Sequence, residues 1–223
     1  MPTMIPVTHL EVLDAAEHMP LGSVLVVNDF SWDEYELLLQ DLDGRRNPRL
    51  SYDCGRLEVV MTSSRHDKYS WFVDKLICAF CEARGLTLGG YGHATWKSKR
   101  AARGAEADNS YYIANEPKVM RKENIRLEVD PPPDIVVEVD LTTDSLRKLP
   151  IYAGLGVPEV WRYDGKLFHF HGLSGAAYTE ITESRCLPGF TLSMLTDALQ
   201  GFPEIDSMEA TKAFRRRIKK LKK

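Results

Sequence analysis

The sharpest pattern in the chain follows three prolines: Pro131-Pro132-Pro133-Asp134-Ile135-Val136-Val137-Glu138-Val139-Asp140. The prolines hold the backbone extended, and the β-branched run after them predicts a short strand. Strand side chains alternate between faces, so Ile135, Val137 and Val139 share one side, while Asp134, Val136, Glu138 and Asp140 share the other. One face is thus apolar and the other carries three carboxylates. Upstream, Ser31-Trp32-Asp33-Glu34 has the form of a capping box, and Tyr35, Leu37, Leu38, Leu39 and Leu42 extend it as a helix that stops at Gly44. Residues 50–53 and 56–62 flank Cys54-Gly55 and predict a hairpin. Tyr69, Phe72, Val73, Leu76, Ile77 and Phe80 recur at helical spacing, predicting a helix over 65–84 that Gly85 ends. Residues 1–28 are weakly patterned and read as irregular, with a short strand at 24–27.

Beyond that helix, 86–96 reads as one or two strands broken by Gly89-Gly90, and 108–113 as a strand with Asp108 at its start. After the acidic strand, residues 141–145 offer N-caps for a helix reaching about 154, which Pro150 must break or kink. Residues 158–163 and 166–171 pair about an Asp164-Gly165 turn. A strand over 178–181 and a helix over 193–199 complete the pattern, and a basic helical tail runs from 207. The fold class is α+β, α/β/α-like, in one domain with a mixed sheet and the long helix packed against it.

Composition narrows the picture. At 223 residues and a formal net charge of −3, the chain carries no global basic footprint, so any nucleic-acid contact must be local. Two basic clusters read first as a solvated turn and as a tail whose charge complements a helix dipole, with phosphate contact the alternative: Lys97 to Arg100 with Arg103, and the tail carrying Lys212, Arg215, Arg216 and Arg217. Neither a signal-like N-terminus nor a membrane-length apolar run is seen, and the expectation is a soluble, cytoplasmic protein without membrane contact. The four cysteines are then reduced thiols. Cys78 and Cys81 have C-x-x-C spacing but lie within a helix and lack a second ligand pair, so they read as core residues rather than a redox or zinc site. His169 and His171 share a strand face, with no third metal ligand close in sequence.

The chemistry sits with the carboxylates. A row of ionised carboxylates inside a protein must be neutralised, paired or bound to a metal, and hard oxygen ligands suit a divalent cation. Asp108 and Glu138 lie on strands that are expected to be neighbours, where the two can converge on Mg2+ or Mn2+. Such an ion polarises a phosphoryl oxygen and lowers the pKa of a bound water, which is the chemistry of phosphodiester hydrolysis. Lys148 is the nearest cation able to stabilise the water or the developing charge. Glu58 and Glu106 are further acidic candidates that read first as surface carboxylates.

The order Asp108, then 133–139, then Lys148 with Tyr152, then Gly156-Val157-Pro158-Glu159-Val160-Trp161-Arg162-Tyr163-Asp164 resembles the Uma family of bacterial putative restriction endonucleases, in the PD-(D/E)xK nuclease-like superfamily. The resemblance spans about 50–190. It implies a restriction-endonuclease-like fold with a central mixed β-sheet flanked by helices, a Mg2+ or Mn2+ cofactor, and DNA as substrate. It also implies a division into an N-terminal segment (1–49) with one short helix packing on the core, a nuclease-like domain (50–200) and a basic C-terminal helix (201–223). Carried over by position, Asp108 takes the place of the superfamily's first aspartate and Glu138 that of its second acidic residue. Asp108, Glu138 and Lys148 are the candidate catalytic residues; Asp108, Glu138 and Asp140 are the candidate metal ligands. A homodimer is the assembly open to an enzyme that cuts both strands. Two departures stand out. Ala107 replaces the usual proline, and Asp140 stands where the superfamily carries its lysine. Either the lysine has moved to Lys148, or the chain is a non-catalytic binding module of nuclease fold. A thiol redox protein through Cys78 and Cys81 is a third, weaker reading.

Overall fold

The computed structural model describes residues 7–45, 47–141 and 144–221. In chain order the elements are α1 (His9–Glu17), β1 (Val24–Val27), α2 (Trp32–Asp41), β2 (Arg49–Asp53), β3 (Arg56–Val60), α3 (Ser64–Arg84), β4 (Gly89–Gly90), β5 (Thr95–Ser98), β6 (Arg103–Glu106) and β7 (Asn109–Tyr112). They continue as α4 (Glu116–Val119), β8 (Ile135–Val139), a 3-10 turn (Ser145–Lys148), α5 (Leu149–Leu155), β9 (Glu159–Tyr163), β10 (Phe168–Ser174), β11 (Ala177–Ile181), α6 (Leu192–Leu199) and α7 (Ser207–Leu221).

The strands form two sheets. The first, ordered β1-β3-β2-β6-β5, is antiparallel throughout. The second, ordered β11-β10-β9-β8-β7-β4, is mixed, because β8 and β9 run parallel. That parallel step needs a crossover, and the 3-10 turn with α5 supplies it. The central mixed sheet and flanking helices of the α+β reading are present; the first sheet adds a second layer of strands.

The alternation along β8 divides the core as its sequence dictates. Ile135, Val137 and Val139 pack with α3, α6 and α7 through Phe72, Leu76, Trp161, Phe170 and Phe190. Val136 faces the other way, into a cluster with Trp96, Ala105, Tyr112, Ile151 and Tyr152 that ties α5 and the first sheet to the second. A third cluster packs α1 and α2 on the first sheet, with Tyr35, Leu38, Tyr52 and Leu57 at its centre. The α3 helix begins at a Ser63 cap and ends at Gly85, whose φ of 66° is the left-handed value glycine favours.

Two readings of the pattern change. The region before residue 28 is not irregular: α1 starts at Thr8, whose side chain and that of Glu11 form a reciprocal capping box. Its stripe is narrow, only Val12 and Ala16 being buried, which is why periodicity alone passes it over. Pro150 does not break a helix but sits in the first turn of one, after the separate 3-10 turn, where proline's missing N–H costs nothing.

Close packing between α2 and the first sheet is most constrained at Gly104. A β-carbon there would lie 2.5 Å from Tyr35 Oη and 3.0 Å from Lys97 Cβ. Tyr35 is fully buried and stacks on Tyr52 at 4.9 Å, so it has no room to withdraw. Gly104→Ala is expected to destabilise the protein by about 1–3 kcal/mol, as overpacking does, measured by urea unfolding against the wild type.

Candidate active site

Asp108 follows Ala107 in the two-residue step by which the chain leaves β6 in the first sheet and enters β7 in the second. The β7–β8 register pairs Asn109 with Val137. Continued by one residue, it sets Asp108 directly opposite Glu138, a position where β-carbons lie about 4.5–5.5 Å apart. Both carboxylates are buried, at 3% and 2% exposure, and both line one small cavity of about 20 Å³. The expected convergence of the two strand ends is therefore met by the geometry of the ladder itself.

Each carboxylate is held by specific donors. Asp108 Oδ2 accepts the Val139 amide hydrogen at 2.7 Å and faces His66 Nε2 at 2.9 Å. Glu138 receives Lys148 Nζ at 2.9 and 3.1 Å on its two oxygens, and the Tyr152 hydroxyl donates to Oε1. Lys148 Nζ also donates to the Glu106 carbonyl oxygen at 3.1 Å. Lys148 and Tyr152 lie four residues apart, on neighbouring turns of the crossover, so the segment that makes β8 and β9 parallel also delivers a cation and a hydroxyl to Glu138.

Ionisation follows from these contacts. Burial drives Glu138 up to about 7 against the attraction of Lys148, and the Asp108 charge adds to the rise. Burial also works against ionisation of Asp108, but the hydrogen bond and charge of His66, the Lys148 charge and the Val139 amide hold it below the usual aspartate range. Burial would lower His66, yet Asp108 outweighs it and raises the imidazole. Lys148 is likewise raised: Glu138 and Asp108 overcome its desolvation.

Of the other sequence candidates, Asp140 lines the same cavity, but its Oδ2 accepts from the Ser145 amide and hydroxyl, each at 3.0 Å, and from Arg162 Nε. It thereby ties β8 to β9 and to the start of the 3-10 turn. Asp134 is turned away, taking the Ile113 and Asn115 amides at 2.6 and 3.1 Å. Glu58 is buried in the cavity wall beside Arg56 at 3.0 Å and Arg147 at 3.6 Å. Glu106 contributes its carbonyl to Lys148, while its carboxylate accepts the Leu50 amide at 2.6 Å.

The basic segment after residue 96 proves to be the β5–β6 hairpin. Lys97 pairs with Glu36, Lys99 with Asp33 at 3.0 Å, and Arg103 with Asp53 at 2.8 Å. In the tail, Phe214 and Ile218 are buried against α3, and Arg215 and Arg217 pair with Glu82 and Asp197. Cys81 is buried with its thiol pushed up to about 12 by desolvation, and Cys78 is raised for the same reason, a poor setting for thiolate chemistry. His169 pairs with Asp164 at 3.0 Å. Among the described residues, no group of three or more His, Cys, Asp and Glu side chains is arranged to hold a metal ion, and no helix is long and apolar enough to cross a membrane.

His66 escaped the sequence reading. A histidine at a helix start belongs to no spaced motif, but one signal was present: it stands one turn before Tyr69 and Ser70 on the buried stripe of α3, where a polar residue calls for a partner.

A family model described as Uma2, "Putative restriction endonuclease", matches residues 32–205. The chain belongs to this family. Among solved structures, one described as a putative nuclease belonging to DUF820 from Anabaena variabilis shares 13% identity, with a TM-score of 0.46, covering 86% of this chain and 98% of the other. No curated protein matches the sequence. For a Uma2 chain, the class-level reading is nuclease-like.

Two measurements test this network without any assay of activity. Lys148→Met leaves Glu138 buried beside Asp108 without its cation, and is expected to cost about 3–5 kcal/mol. The double variant with Glu138→Gln should recover much of that loss; additive losses in urea unfolding would mean that the pair is not coupled. The His66–Asp108 pair has a pH signature. The raised His66 stabilises fully below the ordinary imidazole value of about 6.5 and loses its contribution as pH rises through its folded value. The lowered Asp108 contributes above about 3.9 and loses its contribution as pH falls. His66→Gln should therefore cost most near pH 5, by about 2 kcal/mol, and much less at pH 9. A cost that does not change with pH would remove the charged pair.

Proposed function

We propose that the chain is a divalent-metal-dependent DNA endonuclease hydrolysing phosphodiester bonds at the Asp108–Glu138 site. The observation that carries this reading is the pair of buried carboxylates opposed across the β7–β8 ladder, with a lysine on one of them. Their donor chemistry fits Mg2+ or Mn2+: both offer hard oxygen atoms, and Mg2+ commonly takes only one or two protein carboxylates, completing its shell with water and phosphate oxygens. Asp108 and Glu138 would hold the ion, which supplies Lewis acidity toward a phosphoryl oxygen and an acidified water. The residues around them hold this pair in place. His66 and the Val139 amide fix the Asp108 carboxylate, and Tyr152 fixes Glu138. Lys148, the cation nearest the pair, balances negative charge as it builds on the phosphoryl oxygens when a water oxygen bonds to phosphorus and a bridging P–O bond breaks. Asp140, engaged by Arg162 and Ser145, serves to position the crossover rather than to bind the ion.

A second reading, a nuclease-fold module that binds without cutting, is favoured by Asp140 at the superfamily's lysine position and by a cavity of only about 20 Å³. Purified protein incubated with single- and double-stranded DNA should cut in Mg2+ or Mn2+ and stop in EDTA. Asp108→Asn and Glu138→Gln should each abolish cutting, and Lys148→Met should reduce it by about 100-fold. Cleavage that survived both carboxylate substitutions would sink the site, and metal-independent DNA binding with no cleavage would favour the binding module.

A further inference from the structure

Arg49 is a buried charged side chain that acts on the Glu106 carboxylate through its charge alone, without a hydrogen bond or ion pair to it. It opens β2 and is only 6% exposed. Its Nε is buried without a hydrogen-bond partner, and among the described residues no hydrogen bond or ion pair engages the rest of its guanidinium. Burying the Nε donor without an acceptor is costly, which points to a missing anionic partner. The nearby carboxylate of Glu106 feels the Arg49 charge but makes no hydrogen bond to it: its Oε2 accepts the Leu50 amide and its Oε1 faces the Thr95 hydroxyl at 3.5 Å.

The location of Arg49 identifies the anion. Arg49 lines the small cavity of Asp108, Glu138 and Lys148. It also lines an open groove of about 650 Å³ that runs between α2 and the β5 edge of the first sheet. Glu106 forms the rest of this partition, with its side chain on the groove and its carbonyl oxygen on Lys148. Other cations on the groove are engaged elsewhere, Lys97 by Glu36 and Arg45 by Glu17 at 3.8 Å. Arg49 is therefore the cation that joins groove to site.

We infer that Arg49 receives a backbone phosphate of the nucleic-acid strand, next to the one being cleaved, and that the groove beside α2 carries the strand toward Asp108 and Glu138. The planar guanidinium offers parallel N–H donors that match two phosphate oxygens, a recognition that lysine, as a point charge, does not reproduce. This inference rests on the nuclease reading and adds to it a strand path and a substrate-positioning residue.

The test is DNA binding by the full chain in EDTA, so that no cleavage intervenes, using fluorescence anisotropy on two labelled duplexes of unrelated sequence over a range of salt. Arg49→Met should weaken binding to both duplexes alike, by about tenfold, and lower the slope of log affinity against log salt by about one unit. Arg49→Lys should keep the slope yet bind a few-fold more weakly than the wild type. A folded Arg49→Met protein with wild-type affinity and slope would overturn the assignment while leaving the nuclease reading intact. If Arg49→Met does not fold, the lysine variant decides: wild-type affinity in Arg49→Lys overturns the phosphate fork. A wild-type protein that binds neither duplex at any salt removes the nuclease reading, and this inference with it.

Discussion

Two negative charges opposed across a buried β ladder are the constraint to which the rest of this molecule responds. Asp108 and Glu138 meet because β7 and β8 pair in a register that faces them together, and neither has water enough to dissipate its charge. Left alone, one of them would take up a proton or the strands would part. The surrounding elements instead bring compensation from separate directions: His66 from the first turn of α3, the Val139 amide from the neighbouring strand, and Lys148 with Tyr152 from the crossover. The compensation is uneven. Asp108 is held below the usual aspartate range, while burial pushes Glu138 up to about 7.

The layers of the fold are arranged so that these donors arrive together. The apolar side of β8 is pressed onto α3 by Ile135, Val137 and Val139, which fixes the helix whose first turn bears His66. The opposite side is sealed by Ile151 and Tyr152 of α5, which fixes the segment bearing Lys148. Asp140 and Arg162 then join β8 to β9 at the mouth of the crossover, anchored by the Ser145 amide at 3.0 Å. Asp140 thus acts as a clasp between β8, β9 and the 3-10 turn, and Lys148, at the end of that turn, brings a cation to Glu138.

Much of this could be read from residue pattern. The alternation in 135–139 foretold which side chains enter which core, and the Ser31 cap, the Gly85 stop and the Asp164-Gly165 turn marked real boundaries. What the pattern could not carry was the pairing of elements distant in sequence. That β6 and β7 belong to different sheets is decided by packing around Trp96, Ala105 and Tyr112, not by any local propensity. The basic run after residue 96 read as a solvated turn, or alternatively a phosphate-contacting patch, because its partners, Glu36, Asp33 and Asp53, lie some 50 or more residues away in sequence. His66 and Arg49 were passed over for a related reason: a single polar residue within an apolar stripe or at a strand start acquires meaning only from what stands across from it.

The lysine's placement has a consequence for the lengths of chain the site tolerates. On a strand, the distance from the second acid to the cation is fixed by the two-residue pleat, and any insertion or deletion between them turns the side chain to the wrong face. Carried on the crossover, the cation is freed from that phase. An insertion or deletion between Glu138 and Lys148 would therefore not, by itself, turn the ammonium group to the wrong face as it would on a strand.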